Sequence, residues 1–300
     1  MTERATKVRA VALPAEHGGW ALIFEPIVLG LLVAPSMTGV FIGVGSLACF
    51  LARHPLKVAL GDRRKSHRLN RTSLADRFAL VYITFAVVFF TLAIMNADRE
   101  FLLPLLVAGP LVFVQLLYDA LGYSRNLIPE IVGAIAVGSI STAIALAGGW
   151  SRPTAYALWI IIVCRHVPTI LYLRVLLGRR RRKQEATITG AAVAVQFLAL
   201  IVVVLLLFFR IAPALAIFVF AILLVRALAG LLSQTVPAPK KLGISEFVFG
   251  AFAVLMVGAG YRLGTDKRLG FTIDRQRRTS SVEGRTYTGL RFGLSLTYET

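Results

Sequence analysis

The sequence predicts an all-α membrane protein with about nine transmembrane helices and a short extramembrane tail at the carboxyl terminus. Hydrophobic residues make up 57% of the chain, charged residues only 16%, and the mean hydropathy is +0.75. A water-soluble globule could not cover its surface with so few charges. The apolar residues also form runs close to the roughly 20 residues that a helix needs to cross a bilayer.

The apolar runs predict the spans one by one, because charged residues, glycine and proline interrupt them. In chain order the predicted spans are residues 20–36, 38–53, 78–95, 101–118, 127–147, 154–173, 187–209, 212–232 and 245–262. The short stretch from Ala34 to Gly39 predicts a tight hairpin of the first two spans, and a second hairpin surrounds Pro213. Together the spans define a transmembrane domain, residues 20–262, after an amino-terminal segment, residues 1–19.

The carboxyl-terminal tail, residues 263–300, is a separate compositional unit without a long apolar run. From Thr286 to Tyr298 apolar and polar residues alternate, which is the pattern of a half-buried strand. A single strand cannot close a barrel, whose strands must all pair with neighbours. We therefore predict a flexible appendage or a short β-hairpin rather than a functional domain.

The net charge of +18 comes largely from Arg and Lys between the apolar runs. These cations concentrate at the amino terminus and after the even-numbered spans, whereas the opposite side carries Arg99, Arg152 and Arg210. The positive-inside rule therefore predicts a cytoplasmic amino terminus and, after nine spans, an external carboxyl terminus. Because membrane topology accounts for this distribution, the sequence does not favour nucleic acid as a partner.

Two of the predicted spans end in similar basic clusters. The first cluster is Arg53, His54 and Lys57 at the end of the second span, and the second cluster is Arg165 and His166 in the sixth. Arg53 and Lys57 are four residues apart and share a helical face. Cationic and imidazole donors at a membrane surface can bind an anionic lipid head group. The alternative is that they only anchor the span ends at the lipid phosphates.

Other ionisable residues lie inside spans or at their edges, where a charge is costly unless it faces a cavity or a partner. Glu25 is within the first span and His17 precedes it by eight residues. We predict that both line the wall of a cavity. Asp119 ends the fourth span and Arg125 precedes the fifth, so these two either bind the same ligand or pair across the short turn.

Several common catalytic and cofactor motifs are absent from the sequence. It contains no Walker A run, no His-Glu-x-x-His and no Gly-x-Ser-x-Gly. Neither basic cluster is accompanied by paired carboxylates, and a magnesium ion bridging a diphosphate would need several. The sequence therefore predicts neither a cofactor nor a metal.

The motif from Pro14 to Ala21, together with the two basic clusters, resembles the YwiC-like family of bacterial integral membrane proteins. The nine-span layout, with important loops after the second and sixth spans, is more distantly similar to the UbiA superfamily of intramembrane prenyltransferases. That resemblance implies a helical bundle around a central cavity, with an Asp-rich motif in each loop that binds magnesium and a prenyl diphosphate. Cationic clusters stand at those positions here, so the resemblance carries the layout but not the metal or the reaction.

Three hypotheses for function remain open. In the first, a cavity opening to the cytoplasm between the second and sixth spans binds a phosphorylated or anionic amphiphile, either an isoprenoid or a phospholipid, and a lipid is transferred without a metal. In the second, the chain is a proton-coupled carrier in which Glu25 or a histidine moves the proton. In the third, it is a non-catalytic membrane subunit. The expected partners are membrane lipids, and the expected location is the bacterial cytoplasmic membrane.

Overall fold

The structure is a computed structural model, and it describes residues 8, 10–13, 17–64, 70–180, 186–233, 235–263, 267–278 and 287–298. Nine long helices and two strands follow one another in these ranges. They are α1 (His17–Val33), α2 (Met37–Arg64), α3 (Asn70–Asn96), α4 (Leu102–Ala120), α5 (Leu127–Ala147), α6 (Arg152–Arg180), α7 (Ala186–Phe208), α8 (Ala214–Leu232), α9 (Pro239–Leu263), β1 (Lys267–Arg278) and β2 (Tyr287–Tyr298).

The helices confirm the predicted all-α membrane fold. Among the described residues, eight helices are long and apolar enough to cross a membrane, and α1 is a shorter apolar helix of 17 residues. The chain is therefore a multi-pass membrane protein. A 3₁₀ turn, Arg99–Phe101, leads into α4.

Two predicted boundaries are wrong in a way that matters for the site. The second and sixth spans were expected to end near the basic clusters, but α2 continues to Arg64 and α6 to Arg180. Hydropathy marks only the apolar part of a helix, and both helices extend beyond it through turns rich in Arg and Lys. Pro55 and Pro168 therefore lie inside helices, and both basic clusters occupy helix interiors rather than helix ends.

The helices pack around α1 in two apolar clusters. One cluster joins α1, α2 and α5 around Ile23, Ile42 and Ile144, which are at most 1% exposed. The other joins α6 to α9 around buried residues such as Leu158 and Val219. Helix α1 contacts α2, α5, α6 and α9, so that the first and last helices of the bundle are neighbours. This closure brings residues from both ends of the chain to the centre of the molecule.

After α9, strands β1 and β2 pair in antiparallel fashion, with Lys267 opposite Tyr298 and Arg278 opposite Tyr287. They form a two-stranded sheet. The predicted extramembrane tail thus contains a hairpin in the described residues.

Candidate functional site

A cavity of about 2310 Å³ lies at the centre of the bundle, and all nine described helices contribute to its wall. Typical pockets for small molecules are roughly 300–1,000 Å³, so this space can hold a much larger ligand. The wall combines apolar side chains with five arginines, which are Arg53, Arg125, Arg165, Arg174 and Arg179. A cavity of this composition suits a ligand with an apolar body and an anionic group.

Helices α3 and α4 form an apolar part of the cavity wall. Helix α3 packs along α2, whereas α4 packs along α5. Ile83, Val87 and Val112 line the cavity and are nevertheless 42%, 59% and 42% exposed. These exposed apolar side chains form an apolar wall that suits the hydrocarbon chain of a lipid.

Arg53 of the first cluster is paired with Asp119. Its Nε donates to Oδ2 at 2.6 Å and its Nη2 donates to Oδ1 at 3.1 Å, a two-pronged contact between α2 and α4. The Asp119 side chain is buried, while that of Arg53 remains 31% exposed. Asp119 thus pairs with Arg53 rather than with Arg125, the alternative that the short turn suggested.

The other two residues of the first cluster, Lys57 and His54, contact different parts of the protein. Lys57 lies one turn after Arg53 on the same face, and its Nζ donates to Ser124 Oγ at 2.7 Å. His54 lies on another face of α2 and donates from Nε2 to the Ala10 carbonyl at 3.0 Å, away from the cavity wall. The expectation that all three side chains offer donors to one phosphate is therefore wrong for His54.

The loop between α4 and α5 is held by cations from two helices. Besides Lys57, Arg174 of α6 donates to the Arg125 carbonyl at 2.5 Å and to Glu130 at 2.9 Å. The Arg125 side chain itself is exposed on the cavity wall, and within the described part of the chain no hydrogen bond or ion pair ties it down. Arg179, also on the wall, donates to the Leu231 carbonyl at 2.6 Å. We call Arg125 and Arg179 of the wall, together with Lys57, which is bonded to the lining residue Ser124, the basic mouth.

The second cluster lies deeper, in a buried network of charges. Glu25 Oε2 is 3.0 Å from His166 Nε2, and Glu25 Oε1 is 3.7 Å from Arg165 Nη2. Arg165 Nη2 also lies 3.6 Å from Glu246 Oε2 and donates to the Glu246 carbonyl at 3.2 Å. Glu246 pairs in turn with Arg226. Two carboxylates and two guanidinium groups thus balance one another in the interior.

Local sequence features hold this network in place. Thr169 follows Arg165 by four residues on the same face of α6 and accepts a hydrogen bond from its guanidinium group. Arg226 lies over the Tyr172 ring, 4.5 Å from its centroid, and over that of Phe249 at 4.8 Å. Gly250 allows α9 to approach α1, because a Cβ atom there would overlap the Glu25 carboxylate.

Sequence reasoning located some of these residues and missed others. Glu25, Arg53, Arg125, Arg165 and His166 all line the cavity. His17 begins α1, but its side chain lies outside the described residues. The site residues that the sequence did not single out are Arg174, Arg179 and Arg226. For Arg226 a signal existed, since an arginine inside an apolar span requires a partner.

The described residues do not fit a magnesium-bound diphosphate. The carboxylates in and beside the cavity, Glu25, Asp119, Glu130 and Glu246, are each paired with arginine. No group of three His, Cys, Asp or Glu side chains among the described residues could hold a metal ion.

The fold and this cavity define a multi-pass helical membrane protein with a large, partly apolar interior cavity. Within that class, residues 13–145 match the family described as YwiC-like protein, which confirms the resemblance seen in the amino-terminal motif and the first cluster. The match ends before α6, so the second cluster lies outside it. The chain has no match among the curated proteins.

A solved structure shares the fold. It comes from work on digeranylgeranylglyceryl phosphate synthase in membranes, a UbiA-type prenyltransferase, and superposes with a TM-score of 0.57 at 11% sequence identity. The similarity covers 87% of this chain and 99% of that chain. The more distant resemblance to the UbiA superfamily is thereby confirmed as a likeness of fold.

Proposed function

We propose that this chain binds an anionic amphiphile, a phosphorylated isoprenoid or phospholipid, with the anionic group at the basic mouth. The single observation that carries the proposal is that one cavity combines cations without carboxylate partners in the described structure with a wall of exposed apolar side chains on α3 and α4. The apolar chain of the ligand lies along this wall. Its head group reaches inward to the cations.

The basic mouth suits a phosphate because no carboxylate among the described residues neutralises its three cations. Lys57 is bonded to a hydroxyl, Arg179 to a carbonyl, and Arg125 has a free side chain in the described structure. A phosphate oxygen can replace the weak neutral partners without breaking an ion pair. Each charge-assisted hydrogen bond contributes about 1.5–3 kcal/mol. Arg53 lies one helical turn before Lys57 and is held in place by its ion pair with Asp119.

The location that we propose is the bacterial cytoplasmic membrane, with the basic mouth facing the cytoplasm. The bond from Arg64 to the Ala120 carbonyl joins the ends of α2 and α4, and the bond from Arg179 to the Leu231 carbonyl joins the ends of α6 and α8. Arg174 of α6 also donates to the Arg125 carbonyl just after α4, so these four helices finish on one side of the bundle. The opposite side carries the exposed pair of Arg152 and Glu100. The excess of cations on the first side supports a cytoplasmic orientation.

The test measures equilibrium binding of two probes by the full chain in detergent, farnesyl phosphate and the uncharged farnesyl methyl ether. We expect Arg125→Gln to weaken binding of farnesyl phosphate by about tenfold or more, because a charge-assisted bond is lost. Binding of the ether should not change.

The matched control is Arg77→Gln. Arg77 is also exposed and lacks a side-chain partner among the described residues, but it lies outside the cavity. The control variant removes the same charge and should bind farnesyl phosphate like the original chain. Equal losses in the two variants, or equal affinity of the original chain for both probes, would contradict the proposal.

A further inference from the structure

Arg125 differs from the other two cations of the basic mouth because it lies on a loop, residues 121–126, and not on a helix. Its side chain is exposed and has no hydrogen bond or ion pair within the described part of the chain. Gly122 of the same loop has a φ of +85°, so the backbone leaves the helical path there. The position of the Arg125 guanidinium group therefore depends on what holds the loop backbone.

Two cationic side chains hold this loop. Arg174 Nη2 donates to the Arg125 carbonyl at 2.5 Å, and Lys57 Nζ donates to Ser124 Oγ at 2.7 Å. Lys57 is one of the cations that we assign to the phosphate, so its bond to the loop is not independent of the ligand. The bond from Arg174 involves no side chain of the basic mouth and acts directly on the backbone of Arg125.

The Arg174 guanidinium group is itself fixed by a second bond. Its Nε donates to Glu130 Oε2 at 2.9 Å, and Glu130 lies in the first turn of α5. Because the donors of a guanidinium group form a rigid planar fork, one side chain of α6 connects the loop with the helix that follows it. Glu130 also neutralises the charge of Arg174, whereas no carboxylate among the described residues neutralises Arg125.

We propose that Arg174 and Glu130 are a positioning pair for the anion site. Arg174 fixes the backbone of residues 121–126, so that the Arg125 side chain stays on the cavity wall where the phosphate binds. Arg174 does not bind the phosphate itself, because its charge is already paired. This inference rests on the proposed function, since it concerns how the basic mouth holds its ligand.

The experiment removes the positioning pair without changing the net charge of the site. A variant that combines Arg174→Gln with Glu130→Gln loses one positive and one negative charge together, and the shorter glutamine side chain cannot reach both partners of Arg174. The full chain in detergent should then bind farnesyl phosphate about three- to tenfold more weakly, because a displaced Arg125 loses part of a charge-assisted bond. Binding of the uncharged farnesyl methyl ether should not change.

The matched control combines Glu100→Gln with Arg152→Gln. This variant also removes a two-pronged ion pair, but on the opposite side of the bundle and away from the cavity, so it should bind both probes like the original chain. A further comparison adds Arg125→Gln to the variant without the positioning pair. If the pair acts only through Arg125, its removal should cause no additional loss once Arg125 is absent.

Three results would overturn the proposal: unchanged binding of farnesyl phosphate in the pair variant, equal losses for both probes, or a loss that adds to that of Arg125→Gln. The last result would mean that Arg174 contacts the ligand. If the pair variant does not fold, Arg174→Lys replaces it, since lysine keeps the charge beside Glu130 but lacks the planar fork. That variant should weaken binding of farnesyl phosphate and not of the ether, and unchanged binding of both probes would refute the inference.

Failure of this inference differs from failure of the basic mouth. No effect of Arg125→Gln on farnesyl phosphate binding would refute the mouth, and the positioning pair with it. Weaker binding in Arg125→Gln together with unchanged binding in the pair variant would refute the positioning pair alone.

Discussion

Arg53 on α2 and Asp119 on α4 form a two-pronged ion pair between residues 66 positions apart in the chain. The pair lies beside the cavity, with the carboxylate buried and the guanidinium group partly exposed. Its geometry gives Arg53 a structural partner that the sequence did not reveal. Arg53 therefore connects α2 to α4. Because of this structural role, a loss of ligand binding in an Arg53 variant would not by itself identify a contact between Arg53 and a phosphate.

We predict that Asp119→Asn lowers the free energy of unfolding by about 1–3 kcal/mol, because one member of a partly buried charge pair loses its partner. The free energy of unfolding is measured by chemical unfolding in detergent micelles for Asp119→Asn, for Arg53→Gln and for the double variant. In the double variant the two effects should not add, since the pair is broken only once. Glu100→Gln, which removes a fully exposed pair with Arg152, is the control and should have no measurable effect. Additive effects of the two variants would show that the pair is not coupled.

The approach of α9 to α1 at Gly250 leads to a second prediction. A methyl group at this position would overlap the Glu25 carboxylate and push it away from His166 and Arg165. Gly250→Ala should therefore destabilise the fold by roughly 1–3 kcal/mol, the usual cost of overpacking. Gly243 lies on the same helix, and a methyl group added there would have nothing within 4 Å, so Gly243→Ala should be neutral or stabilising. Thermal unfolding of the two variants compares them directly, and equal melting temperatures would contradict the close contact.

The sequence predicted the helices well because a helix that crosses a lipid bilayer needs a continuous run of about 20 apolar residues. Such a run is visible in the sequence without any knowledge of the packing. It could not predict which charged residues meet. Glu25 and His166 are 141 residues apart in the chain. They become neighbours only because α1 packs against both α6 and α9. Charge compensation was a usable signal, since Glu25 within a span required a partner. It could not choose between Arg165, Arg226 and the other arginines without the packing.

The orientation of the bundle is open to a direct test. Reporter fusions at Arg125 and Lys240 should be cytoplasmic, and those at Arg99, Arg152 and Thr300 should be external, as the distribution of cations predicts. The result for Thr300 depends on whether α9 crosses the membrane, since Lys240 lies at the start of α9 and Thr300 follows its end. Helix α1 has 17 residues and is about 25 Å long, short for a complete crossing. With Lys240 in the cytoplasm, a cytoplasmic Thr300 would indicate that α9 does not cross the membrane. An external reporter placed ahead of α1 would indicate that α1 does not cross.

The last prediction separates binding by cations from binding through a metal. If Lys57, Arg125 and Arg179 hold the phosphate directly, the affinity for farnesyl phosphate should be the same with and without a chelator. It should fall by roughly tenfold between 0.1 M and 1 M salt, because the screening length contracts from about 10 Å to about 3 Å and the mouth is accessible to solvent. Farnesyl methyl ether is the control, since an uncharged probe should not respond in this way. Loss of farnesyl phosphate binding in chelator, restored by added magnesium, would mean that carboxylates and a metal hold the anion, and the arginine-based site would have to be abandoned.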